Sequence, residues 1–271
     1  RFSHALIQQT LFEELSATRR ARVHARIGDA LEESYGVEAE KHAGELAFHF
    51  AEAEAISGSK NLVRYALLAG EQALVTHAYE EALVHFQRAL SAKESQPGDS
   101  ELAAALFGLG RAQGATLGRQ QIDLTFSTMG RAFEIYAETG DVAGALNVAV
   151  YPLHQISGHH GGVDLVSRAL KLVDPDSQEA GRLLSRYVLG LGLGEGDYQG
   201  ATAAFEKALA IAHRAGDLGL EMQTLAHSSN VDYWHLHLED TVAKGLRAIE
   251  LAHQADDQLS EVAARFWVGI A

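Results

Sequence analysis

Four glycines stand at every second position from Gly190 to Gly196 in GLGLGEG, and glycine runs can cradle phosphate. A phosphate loop needs glycine where the backbone approaches the anion, followed by a helix whose free N–H groups meet it. The spacing G-x-G-x-x-G fails in every register, because the sixth position is Glu195, Asp197 or Gln199. No G-x-x-x-x-G-K-[ST] occurs, and Glu195 and Asp197 would repel phosphate. Histidine is the next candidate chemistry: His154, His159 and His160 form one group, and His235 and His237 with Asp232 and Glu239 another. Zinc wants three or four converging ligands, and helical positions two apart face away from each other. Exposed or locally bonded histidines are the better reading. No nucleophile elbow, H-E-x-x-H helix or isolated carboxylate pair stands out. The expectation is no catalytic residue, no metal and no enzyme activity in these residues.

The elements that would position any site are helices. Only Pro97, Pro152 and Pro175 interrupt the chain, and Ala, Leu and Glu are frequent, which predicts an all-α fold. With 36 acidic against 22 basic side chains the net charge is −14, which argues against direct nucleic-acid binding. There are no cysteines, consistent with a cytoplasmic protein, and no apolar run of membrane-spanning length. The chain lacks an initiator Met and stops within ARFWVGIA, so it reads as a piece of a longer protein.

A repeat accounts for the glycines. DYQGATAAFEKALAIAHRAGD (197–217) has relatives beginning near residues 78, 125, 161 and 239, and their final alanines are Ala89, Ala132, Ala169, Ala208 and Ala248. The period of roughly forty residues suits two antiparallel helices and two turns. Gly196 and Asp197 then make the turn between two helices, while Gly190 and Gly192 permit close packing in the first. Gly140 and Gly216 end helices that Asp141 and Asp217 follow as caps. Pro152 predicts a kink or an early helix end in the third repeat.

The first residues fall outside this phase. Ser3 would cap a helix carrying Leu6, Ile7, Leu11 and Leu15, and Ser16 a second carrying Val23, Ile27 and Leu31 and ended by Gly36. Arg19, Arg20, Arg22 and Arg26 read as a solvated helix face.

These patterns carry a resemblance. Gly70, Tyr79, Ala82, Phe86 and Ala89, and again Tyr198, Ala201, Phe205 and Ala208, fall at the offsets of tetratricopeptide repeats. The run F-x-H-A-L-I-x-x-T-L-F-x-x-L, followed by R-x-R-x-H-x-x-I-x-x-A-L-E, resembles the end of the winged-helix region of bacterial STAND-class signalling ATPases. Those are the large LuxR-type regulators and the ATPases fused to class III nucleotide cyclases. The resemblance implies a winged-helix-derived helical segment over 1–56. A right-handed superhelical solenoid of tetratricopeptide-like hairpins would follow over 57–271, with about five units and a truncated sixth. It implies an upstream nucleotide-binding domain holding ATP or ADP in the full-length protein, with His4 touching the nucleotide phosphates. No cofactor is expected in these residues themselves. A protein segment or small inducer would bind the concave face, near Arg111, Asn147, Tyr151, His154, Arg186, Asn230 and Tyr233. The expected function is a sensor or interaction arm controlling transcription or cyclic-nucleotide synthesis. The alternative is a tetratricopeptide scaffold that never responds to nucleotide.

Overall fold

The computed structural model describes residues 15–93, 98–153, 160–255 and 258–271. Among the described residues every regular element is helical. Packing divides the chain into two compact units that meet in sequence at Leu117 and Gly118. The expected boundary at residue 57 falls inside the first.

In the first unit α1 (Ala17–Tyr35) begins at Ser16, whose hydroxyl accepts from Arg19 N at 3.4 Å, and ends at Gly36 with φ +50°. Its buried face differs from the expected apolar stripe. Val23 and Ile27 are each 37% exposed, whereas Ala21, His24, Ala25 and Gly28 are buried. Small size wins over hydrophobicity here, because a Cβ at Gly28 would lie 3.0 Å from the Phe50 ring. Arg19, Arg22 and Arg26 are exposed, as a solvated face requires. A 3₁₀ stretch, Gly36–His42, leads into α2 (Ala43–Glu52), which packs on α3 (Lys60–Val75). α3 forms a hairpin with α4 (Tyr79–Lys93), and α5 (Ser100–Thr116) packs on both. The Phe86 ring of α4 fills the space left by Gly70 of α3 and Gly108 of α5, where an added Cβ would fall 2.6 and 2.2 Å from it.

In the second unit α6 (Ile122–Glu138) packs on α7 (Val142–Val150), followed by α8 (His160–Ala169) and α9 (Gln178–Leu189). α10 (Tyr198–Ala215), α11 (Leu218–Trp234), α12 (Leu238–Ala255) and α13 (Gln258–Ile270) complete it. Each of α9 to α12 packs on the next. Alternate helices also touch: α7 on α9, α9 on α11, and α11 on α13. The turns follow the sequence chemistry. Gly140, Gly196 and Gly216 take φ of +79°, +70° and +64°, and Asp141, Asp197 and Asp217 each accept from the backbone N–H three residues on. α7 ends at Val150, so the proline at 152 gives an early helix end.

Ala89, Ala132, Ala169 and Ala208 are wholly buried and Ala248 is 1% exposed. A residue with no side chain beyond Cβ at that position lets neighbouring helices approach closely. Side-chain bonds between α3 and α5 and between α9 and α11, and one from α10 to the turn before α9, span about forty residues: Arg111–Glu71 joins residues 40 apart, Ser185–His227 42 and Arg214–Asp176 38. No helix of the described residues is long and apolar enough to cross a membrane.

Candidate functional site

The site is built on α9. Ser177 caps this helix by accepting from Ala180 N at 3.1 Å, and Ala180, Gly181, Leu183, Leu184, Val188 and Leu189 are buried. Arg186 lies in its last turn, next to that buried side. Directly after Leu189 the chain widens into a single π-helical stretch, Gly190–Glu195. Such stretches are rare and reposition the side chains beside them. Two of the glycines that opened the sequence question sit here for a steric reason. A Cβ at Gly190 would lie 2.8 Å from Val163, and one at Gly192 would lie 2.4 Å from Val231. They are packing glycines, not a phosphate loop.

Arg186 lines a cleft with Phe126 and Met129 of α6, Val148 of α7, Tyr151, Val163 and Val166 of α8, and Tyr187. The empty volume, counted to the open mouth, is ≈ 480 Å³; ≈ 30 Å³ of it admits the centre of a water-sized group. The wall is mostly hydrocarbon. Among the described residues no carboxylate pairs with the guanidinium and no acceptor receives its hydrogens. Burial alone pulls Arg186 below the usual guanidinium value, yet an arginine stays charged near neutrality.

His227 of α11 stands beside it. Its Nδ1 lies 2.9 Å from the Ser185 carbonyl and 3.1 Å from the Ser185 hydroxyl. A carbonyl only accepts, so Nδ1 carries the proton. Burial first, and then the nearby Arg186 charge, push His227 down to about 4. The imidazole is therefore neutral at pH 7 and adds no second cation.

A contrasting polar group shows what complete pairing looks like. Asp232, 1% exposed, accepts from Tyr198 Oη at 2.8 Å and Lys244 Nζ at 2.7 Å, and Lys244 also reaches Ser228 Oγ at 2.9 Å. Burial, and then the bond to Asp232, push the Tyr198 phenol up to about 12. Every ion here has a partner, so the group is structural. His237 stacks on Tyr198 with centroids 4.4 Å apart, and His235 Nε2 donates to the Gly192 carbonyl at 2.8 Å. These two histidines are locally bonded. No group of three or more His, Asp or Glu poised for a metal exists among the described residues.

The other expected contacts are scattered. Arg111 belongs to the first unit, ion-paired with Glu71 and lying 4.6 Å from the Phe107 ring centroid. Asn147 is exposed on α7, and Tyr151 ends that helix and lines the cleft. Asn230 is three residues beyond His227 on α11, and its Oδ1 is buried without a partner among the described residues. Tyr233 packs with Trp234 and Trp267 at 5.7 and 5.4 Å. His4 and His154 lie outside the described residues. Arg186 and Tyr151 thus share one cleft. His227 was missed, although it lies 42 residues beyond Ser185, close to the forty-residue spacing of the sequence pattern.

Neither a scan against protein-family models nor a search of curated proteins finds a match to this chain.

Proposed function

We propose that these residues form a tetratricopeptide-like repeat array serving as the ligand- or protein-binding arm of a multidomain signalling ATPase. The observation that carries the repeat reading is the burial of alanines at the forty-residue period, within helices that form hairpins and pack on their alternate neighbours. Isolated hairpins bury too little; stacking supplies the core, and the polar groups left between first helices are free to bind. Arg186 supports a binding role, since its side chain lines a cleft and pairs with no carboxylate among the described residues. The link to nucleotide rests on the pattern from Phe2 to Leu31. A ligand would act by binding the open and closed states of the ATPase with different affinity.

The test is the coding sequence on both sides of this segment. A phosphate-loop ATPase upstream supports the reading, and loss of nucleotide retention in His4→Ala would place that histidine at the phosphates. If no such ATPase is encoded, the signalling assignment falls and a repeat scaffold remains.

A further inference from the structure

We infer that the exposed stripe of α1 bearing Val23 and Ile27 is a docking surface for the chain's own leading segment, residues 1–14, with Leu11 meeting Val23 and Ile7 meeting Ile27. The inference goes beyond the binding-arm reading and holds whether or not an ATPase is encoded upstream.

α1 carries more apolar surface than its contact with α2 uses. On one side His24 and Gly28 meet His49 and Phe50 of α2. On another, Val23 and Ile27 remain 37% exposed, and the exposed Ala30 follows on the same stripe. β-branched residues cost helix propensity, and a face left to water gives nothing in return. The same spacing stands in the leading segment. There Ile7 and Leu11 are four apart, Leu6 joins them, and Gln8, Gln9 and Thr10 lie between.

The connection fixes how the two can meet. The chain bends at Leu15, and Ser16 is extended, with φ −60° and ψ 150°, before α1 starts at Ala17. A link this short makes consecutive helical stretches antiparallel neighbours. Each step back along the segment then matches a step forward along α1, which sets position 11 opposite 23 and position 7 opposite 27.

Charge agrees with that direction. Near the turn the segment carries Glu13 and Glu14, and α1 carries Arg19 and Arg22, both exposed. At the far end the segment carries Arg1 and His4, and α1 carries Asp29 and Glu33, also exposed. The reverse direction would set like charges together. A second copy offers the same residues, but a short tether holds the chain's own segment at an effective concentration on the order of millimolar, so the intramolecular contact wins.

The chain has no cysteine, so a pair placed by substitution is read without background. The full chain carrying Leu11→Cys and Val23→Cys is oxidised at low protein concentration, beside a control carrying Gln9→Cys and Val23→Cys. The first pair is expected to close a disulfide within one molecule, and the control to do so at least about tenfold more slowly, because a bridge needs Cα atoms within about 7 Å and Cβ vectors that face. A double-mutant cycle needs no cysteines and covers the case in which those variants fold poorly. Leu11→Ala is expected to lower Tm by roughly 2–4 °C in the wild type and by less than half as much in a Val23→Ala background.

Three results would overturn the inference. Equal oxidation of the two cysteine pairs would mean that Leu11 does not face Val23. Disulfides formed between molecules instead of within one would make a second copy the occupant. Additive effects of Leu11→Ala and Val23→Ala would leave the stripe to another partner or to water.

Discussion

At the scale of single residues, the molecule carries acid-labile histidines in both units. His227 is held neutral by burial and by the Arg186 charge, down to about 4. In the first unit His49 faces His24, Nδ1 to Nδ1 at 3.0 Å, and is pushed below its usual value by burial and then by that neighbour. In each case the folded-state pKa lies below the unfolded value near 6.5. The unfolded chain then binds more protons, so stability is complete above about pH 6.5 and falls as pH is lowered. For His227 the loss between pH 6.5 and 4 is about 3 kcal/mol. Urea unfolding of wild type and His227→Gln at pH 7 and pH 5 checks this. The wild type should lose roughly 2 kcal/mol more than the variant, and parallel losses would mean that His227 is not the titrating group. Repeat counting singled out Arg186 and Tyr151, and the structure places both at the cleft beside α9. The neutrality of His227 was not legible, since it depends on burial and on contacts between α9 and α11.

At the scale of elements, turns and close approaches carry the argument. The left-handed turn residue is Gly196 after the π-helical stretch, but His77 after α3 and Leu236 after α11, with φ of 70°, 61° and 65°. A side chain in that region costs about 1–2 kcal/mol, and Leu236 recovers little of it because it is 81% exposed. Leu236→Gly should therefore raise stability by about 0.5–1 kcal/mol, the relief of strain exceeding glycine's extra chain entropy. Thermal melting reads the sign, and destabilisation would show that the exposed leucine makes contacts of its own. Gly192 gives the opposite case. A Cβ there would fall 2.4 Å from Val231, so Gly192→Ala should cost about 1–3 kcal/mol, and much less in a Val231→Ala background. Additive effects would contradict the contact. The sequence made such turns and caps readable because Gly-Asp pairs have few other uses. It misled on α1, where Val23 and Ile27 suggested the buried face and Ala21, Ala25 and Gly28 occupy it. Hydrophobic periodicity cannot register a face buried through smallness.

At the scale of the whole molecule, what matters is how far a local lesion spreads. The first unit has cores around Phe50, Tyr65 and Ala66 and around Phe86 and Leu109; the second has its own around Leu184, Ile211 and Leu251. In a repeat array stability is close to a sum of nearest-neighbour terms, so a defect weakens the helices it touches and fades with distance along the chain. Phe86 is the sharpest probe, because its ring fills the space between Gly70 and Gly108 and is wholly buried. Phe86→Ala leaves neighbouring glycines with nothing to fill the gap and should cost about 3–5 kcal/mol. Amide hydrogen exchange distinguishes the two ways that cost can be distributed. If neighbours alone share it, protection falls by two or more orders of magnitude in α3, α4 and α5, while α9 to α12 keep their wild-type rates. If both units open as one cooperative block, protection falls equally throughout. The nearest-neighbour account, and with it the reading of the chain as a repeat array, would then have to be abandoned.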